Sequence, residues 1–183
     1  MSSSSNPDSF RQNLWAPWRI EYLRRLDDES DRPEGYCFIC DYRDRPSDDR
    51  DNLVLWRTEH SLVVFNGYPY TNGHLLICPL AHIGKLEDLS DRQMLELMQL
   101  SRDAKRLLSE AISPHGFNLG VNLGRCAGAG LPGHLHVHLV PRWNGDTNFM
   151  SVLTDVRVIS QSLHALYDEL IELSKKLELP MNR

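Results

Sequence analysis

The chain contains no run of 18 apolar residues, so no segment of it is expected to cross a membrane as a helix. Its first residues, "MSSSSNPDSF", lack the apolar centre of a secretion signal, and residues 1–12 are expected to form a short disordered tail. Positive charge is not in excess. The 20 Lys and Arg residues are outnumbered by 25 Asp and Glu, for a formal net charge of −5, which argues against a nucleic-acid or membrane-surface partner. An anionic ligand must then be met by a few local donors rather than by a broad positive field. Cysteine is scarce, limited to Cys37, Cys40, Cys78 and Cys126. A chain of 183 residues can bury a core without disulfides, so a reducing, cytoplasmic setting is expected, with the thiols available for metal or redox chemistry. Internal repeats are absent as well.

What is present reads as one globular domain over residues 13–183, with 41% apolar and 25% charged residues. Within "RQNLWAPWRIEYLRRL", residues 11–26, a short helix is expected after Pro17. Polar loops bracket "CFIC" at 37–40, which is expected to be a tethered knuckle rather than a strand. Strand patterns follow at "NLVLWR", "HSLVVFN" and "HLLICP", the first two forming a hairpin across "TE". At "LSDRQMLELMQLSRDAKRLLSEAI" the period becomes helical. Ser90 and Gln93 fit a capping box, Met94, Leu97, Met98, Ala104, Leu108 and Ala111 recur at helical spacing as a core stripe, and Pro114 and Gly116 end the helix. "FNLGVNLG" reads as a strand, "RCAGAGLPG" as a Gly-rich loop, and a final amphipathic helix is expected around residues 158–177. Strands, helix, strands, helix predicts an α+β sheet covered by helices on one side.

The segment "GHLHVHLVPRW", residues 133–143, carries His134, His136 and His138 at alternate positions, with Leu135, Val137 and Leu139 between them. On a strand this puts all three imidazoles on one face, and neutral imidazole is a poor core filler, so the row reads as a site. One metal held by all three is disfavoured. Residues i and i+2 stand roughly 6.5–7 Å apart, so two rings can converge while the third points past. A metallohydrolase would also be expected to show a nearby carboxylate, and the first acidic residue after His134 is Asp146. A division of roles fits better. An unligated imidazole can attack phosphorus if one ring nitrogen is free and the other donates to a fixed acceptor such as a backbone carbonyl. A neighbouring histidine can donate to phosphate oxygens, and "AGAGLPG" just upstream can aim backbone N–H groups at the same anion.

The C-x-x-C of Cys37 and Cys40 has three readings: a redox pair, half of a structural zinc site, or an inert pair. Loops on both sides disfavour the strand-to-helix setting of a redox pair, and zinc needs two further ligands. His82, after "CPLA", lies where it could reach the knuckle. His60, His115 and His164 read as exposed, and His74 as equally a core histidine with satisfied nitrogens.

These residues resemble the histidine-triad family of nucleotidyl hydrolases and transferases, whose motif is His-φ-His-φ-His-φ-φ with φ apolar. "HLHVHLV" matches it at all seven positions. "LVVFNGYPYTNGHLLICPLAH", "PHGFNLGVNLG" and "VPRWNGDTNF", with "LWAPWR" near the start, are similar to the bacterial diadenosine tetraphosphate phosphorylase branch, also called ATP adenylyltransferases. The resemblance implies an antiparallel sheet with a long helix and a C-terminal helix, a homodimer, and an adenine nucleotide or dinucleoside polyphosphate as substrate. It implies that His136 is the nucleophile and that His138 contacts phosphate or nucleotide. It further implies that Asn122 contacts phosphate, that Asn66 binds ribose, and that a structural zinc is held by Cys37, Cys40, His82 and His134. No organic cofactor is implied.

One position departs from the family pattern. Four residues before the first triad histidine, where a Gln or Ser commonly stands, this chain has Gly130, so anion contact there falls to the amides of Gly130 and Leu131. Three competitors stay open beside phosphorolysis: hydrolysis of dinucleoside polyphosphates or nucleoside phosphoramidates, a zinc-stabilised nucleotide sensor with little turnover, and a metallohydrolase using the triad as ligands.

Overall fold

The computed structural model describes residues 35–146 and 161–180. The expected N-terminal tail, the helix after Pro17 and the stretch 147–160 lie outside the described residues. Five strands form one antiparallel sheet: β1 (Val54–Arg57), β2 (Ser61–Phe65), β3 (Leu75–Pro79), β4 (Gly116–Val121) and β5 (Val137–Arg142), in the order β1-β2-β3-β5-β4. Among the described residues there are three α-helices: α1 (Phe38–Asp44), α2 (Asp91–Ile112) and α3 (Leu163–Lys176). The α+β class expected from the pattern is the one found.

Central strands β2 and β3 are continuous apolar runs, SLVVF and LLICP, because both of their faces are covered. One face packs under α2 and α3, where Val63, Phe65, Leu75, Ile77, Val137 and Leu139 meet Leu97, Leu100, Leu107, Leu166 and Leu170. The other face carries Leu62, Val64, Leu76 and Cys78 against Cys37 and Ile39 of the α1 region. The β1–β2 hairpin turns at Glu59–His60, one residue later than expected, closed by Thr58 N–H to the Ser61 carbonyl at 3.0 Å. Helix α3 is tied to β1 by the Trp56 indole donating to Ser174 Oγ (2.7 Å) and by the Tyr167 hydroxyl donating to the Val54 carbonyl (3.1 Å).

The capping box on α2 forms as expected: Ser90 Oγ accepts from Gln93 N–H and Gln93 Oε1 accepts from Ser90 N–H. The core stripe differs from the expected one. Leu97, Leu100, Ala104, Leu107 and Leu108 are buried, whereas Met94 and Met98 are 38% and 54% exposed. At 100° per residue Met94 lies about 20° and Met98 about 60° beyond Ser101, the edge of the buried arc, and so both reach the rim of the helix instead of its underside. Helix α3 starts at Leu163, capped by Ser162 Oγ accepting from Ala165 N–H, later than the expected start near 158.

Two findings bear on the site. "CFIC", read as a tethered knuckle rather than a strand, opens α1, with Cys37 at the N-cap and Cys40 in the first turn. The strand expected over 133–143 pairs only from Val137 onward, so His134 and His136 lie on the segment leading into β5. That segment is held by Leu135 N–H donating to the Ile83 carbonyl at 2.6 Å and His134 N–H donating to Leu131 at 3.3 Å. The alternation survives: Leu135, Val137 and Leu139 enter the helix-covered core, and the histidines take the opposite side.

Candidate active site

The three histidines share a side but not a setting. His134 is fully buried. Its Nε2 lies 2.8 Å from the Pro79 carbonyl, and since a carbonyl only accepts, Nε2 carries the hydrogen and Nδ1 keeps its lone pair. Nδ1 faces Cys37 Sγ at 3.2 Å and Cys40 Sγ at 3.6 Å, while Cys40 Sγ also lies 3.2 Å from His82 Nδ1. The ligand atoms of Cys37, Cys40, His82 and His134 all lie within 4.8 Å of one another. A tetrahedral zinc with ordinary Zn–S and Zn–N bonds would set sulfur and nitrogen about 3.5 Å apart, so the spacing and the two-thiol, two-imidazole donor set both fit zinc. Burial pushes the His134 imidazole down to about 4, keeping it in the neutral form that binds metal, and burial with the adjacent Cys37 pushes the Cys40 thiol up to about 11.

Local structure explains how four distant residues converge. One helical turn brings the side chains of Cys37 and Cys40 to the same side. Arg43 donates to the Leu80 carbonyl at 3.2 Å and Arg57 to the Arg43 carbonyl at 3.2 Å, pinning α1 to the ends of β1 and β3. His82 is brought to His134 by a close approach of two loops at Gly84: a Cβ there would come within 2.7 Å of the Pro132 carbonyl oxygen, which only glycine avoids.

His136 has the opposite arrangement. Its Nδ1 lies 2.9 Å from the carbonyl oxygen of His134, so Nδ1 carries the hydrogen and Nε2 offers the lone pair. It is 7% exposed, and burial pulls its pKa below the ordinary value of 6.5, so the ring is neutral. This is the arrangement an imidazole nucleophile needs.

His138 Nδ1 meets His74 Nε2 at 3.0 Å, and its own Nε2 is buried with no hydrogen-bond partner among the described residues. The proton positions follow from the backbone. Tyr68 N–H donates to Asn66 Oδ1 at 2.9 Å, which fixes the Asn66 amide with its Nδ2 toward His74 Nδ1 at 3.3 Å. Tyr70 N–H donates to the same His74 Nδ1 at 3.1 Å. His74 Nδ1 is therefore an acceptor, Nε2–H donates to His138 Nδ1, and His138 is left with Nε2–H as a donor. Burial, then the neighbouring His136, push the His138 pKa down to about 4, so it donates as a neutral ring. The rings of His136 and His138 stand 4.9 Å apart, centroid to centroid.

His74 was the residue that pattern reading undervalued. It is a buried, satisfied histidine as one of its readings held, but what satisfies it is the triad. The signal that identifies it is register: Leu76 pairs with His138, so His74 two residues earlier shares that face. His115 and His164 are exposed, as expected, and His60 is half-buried.

The Gly-rich loop folds on itself. Asn122 Nδ2 donates to the Gly128 carbonyl at 3.4 Å, and the amides of Ala127, Gly128 and Ala129 bond to Gly124 and Arg125 carbonyls. No hydrogen bond among the described residues uses the amides of Gly130 and Leu131.

Comparison with known proteins agrees with this geometry. The HIT domain family pattern matches residues 48–145, which includes the triad and His82 but begins after the C-x-x-C. The chain is 40% identical over 153 residues to the AP-4-A phosphorylase of Mycobacterium tuberculosis, covering 83% of this chain and 78% of that one. It is 31% identical over 93 residues to an asymmetrical bis(5'-nucleosyl)-tetraphosphatase of Schizosaccharomyces pombe, covering 51% of this chain and 50% of that one. In fold it is similar to a Zn-bound histidine triad family protein from Mycobacterium smegmatis, with a TM-score of 0.62 at 23% identity, covering 78% of this chain and 95% of that one.

Proposed function

The chain belongs to the HIT domain family, and from that premise we propose that it cleaves dinucleoside polyphosphates by passing a nucleoside monophosphate group through His136 to inorganic phosphate. The observation that carries this reading is the His136 Nδ1–H bond to the His134 carbonyl, which leaves Nε2 as a neutral, oriented nucleophile. Nε2 attacks the α-phosphorus. The P–N bond forms as the bond to the bridging oxygen breaks, and that oxygen keeps the electron pair and leaves with the remaining nucleotide. His138 Nε2–H donates to a phosphate oxygen as charge builds there. An oxygen of inorganic phosphate then attacks the same phosphorus and breaks the P–N bond. With diadenosine tetraphosphate the products are ATP from the first step and ADP from the second. The likeness to the mycobacterial phosphorylase supports both this substrate and phosphate as the acceptor.

Asn122 and the amides of Gly130 and Leu131 are assigned to phosphate, and Asn66 Oδ1 to a ribose hydroxyl. The ion assigned to Cys37, Cys40, His82 and His134 is zinc, held as a structural centre: it ties α1, the loop after β3 and the entry to β5 together and takes no step in the reaction. A homodimer is assigned to the β4 edge, where Leu119 and Leu123 are exposed, and the adjoining rim of α2, with Leu95 and Met98. Among the described residues no helix is long and apolar enough to cross a membrane, and four unpaired thiols support a reducing, cytoplasmic setting.

Incubation with diadenosine tetraphosphate, with and without phosphate, tests the reaction. ADP and ATP are expected in equal amounts and only with phosphate present. AMP and ATP formed without phosphate would identify water as the acceptor, a choice that Gly130, with no side chain, does not make. Absence of a labelled AMP adduct on His136 would sink the nucleotidyl-histidine reading altogether.

A further inference from the structure

The four metal-binding side chains are not evenly buried. Cys37 and His134 lie inside, Cys40 is half-buried and His82 is exposed. One side of the group therefore faces solvent, and the sulfur on that side belongs to Cys40, whose Sγ is 3.2 Å from His82 Nδ1. The other two thiols are set differently. Cys78 is fully buried in the apolar cluster of Leu62, Val64 and Leu76, and Cys126 stands exposed on the Gly-rich loop.

Cys37 and Cys40 are also placed to bond to each other. The pair opens α1 across its first turn, and the two sulfurs lie within 4.8 Å. Residues three apart in a helix have Cα atoms about 5 Å apart, inside the roughly 4.4–6.8 Å that a disulfide spans. A disulfide there does not replace a bound ion. The ion ties α1 to residues far along the chain, 42 positions from Cys40 to His82 and 97 from Cys37 to His134, whereas the disulfide ties α1 only to itself. Hydrogen bonds from Arg43 to the Leu80 carbonyl and from Arg57 to the Arg43 carbonyl still hold α1 near its place, so the thiols can return to the ligand set.

We propose that Cys37 and Cys40 form a peroxide-sensitive modification site, where oxidation to a disulfide ejects the ion and unties α1 from His82 and His134. This rests on the zinc assignment above. The Cys40 sulfur, as thiolate, attacks one peroxide oxygen, and the O–O bond breaks to give a sulfenic acid and hydroxide. The Cys37 sulfur then attacks the Cys40 sulfur, the S–S bond forms and a second hydroxide leaves. Two electrons pass from the sulfur pair to peroxide, and two protons from solvent turn both hydroxides into water. With both sulfurs spent, only His82 and His134 remain as ligands, too few for a structural zinc. Thiol reductants reverse the change, which makes the bond transient in a reducing compartment.

The test treats the full, zinc-loaded chain with hydrogen peroxide beside a colorimetric zinc chelator, with chelator alone as the baseline, and then maps disulfides by peptide mass. Metal content is measured first. Zinc release is expected to rise in step with a Cys37–Cys40 disulfide until all the bound metal is free, with Tm lower by about 10 °C. Dithiothreitol and added zinc should restore both. Cys126→Ser is expected to respond as the wild type does, which removes the exposed thiol from the account, and the wild type carries the test if that variant fails to fold. Zinc held through peroxide treatment overturns the proposal. So does release with Cys40 carried on to a sulfinic acid and no Cys37–Cys40 disulfide, or a response lost in folded Cys126→Ser. A chain that takes up no zinc beforehand overturns the zinc reading instead. In that case a mapped Cys37–Cys40 disulfide retains the oxidisable pair, and its absence removes it.

Discussion

His134 and His138 end the same short row of histidines, yet one end gathers a group of four ligand atoms that can hold a metal and the other ends in a ring N–H donor. At the His134 end two thiols and a second imidazole converge on a lone pair at Nδ1, because the Pro79 carbonyl has taken the Nε2 hydrogen. At the His138 end, His74, Asn66 and two loop amides pass their donor sense along until a buried Nε2–H is left as the last donor. Between them His136 presents a lone pair at Nε2, because the His134 carbonyl has taken the Nδ1 hydrogen. Side-chain type is constant along the row. The chemistry is set by which nitrogen a neighbouring backbone group occupies.

The largest effect should come from the middle of the row. His136→Ala is expected to lower kcat by at least about a thousandfold and to abolish the labelled adduct. Substantial adduct on the variant would place the nucleophile elsewhere. At the metal end, Cys37→Ser should cost stability and leave chemistry nearly alone: roughly 3 kcal/mol, a fall in Tm of about 10 °C, with kcat well below the new Tm changed by less than about threefold. A large loss of kcat in a fully folded Cys37→Ser protein would erase the contrast between the ends.

At the other end, His74→Ala removes the donor that sets the His138 tautomer. It should lower kcat about 10- to 100-fold with zinc content unchanged. Loss of zinc in that variant would show the two ends to be one unit.

A smaller effect separates the ends by pH. Burial pushes His138 from 6.5 to about 4 in the folded chain. The unfolded chain thus binds a proton near 6.5 that the folded chain refuses until about 4, so this histidine lowers stability as pH falls through that window and adds no further loss below it. Denaturant midpoints between pH 7 and 4 should fall less steeply for His138→Asn than for the wild type, and equal slopes would remove His138 from the account. Smallest of all, Gly130→Ser should change the ratio of phosphorolysis to hydrolysis by less than about tenfold, read from ADP against AMP.

Much of this was legible before folding because it depends on near neighbours along the chain. The Ser90–Gln93 capping box, the strand runs and the apolar alternation of Leu135, Val137 and Leu139 are local patterns with local causes. The metal set of Cys37, Cys40, His82 and His134 was also named in advance, through family resemblance, and the structure brings its four ligand atoms together. His74 was harder, since its place beside His138 depends on the register of β3 against β5. The exposure of Met94 and Met98 was missed because helical spacing marks an apolar arc but not where the sheet beneath it stops.

Residue order alone settled that three imidazoles would share a face and that a C-x-x-C would offer two thiols close together, since strand alternation and spacing are properties of the chain itself. It did not contain the direction of a single imidazole proton. Those directions come from the carbonyls of Pro79 and His134 and the amides of Tyr68 and Tyr70, which are the same atoms in every residue and acquire meaning only when folding places them within hydrogen-bond reach.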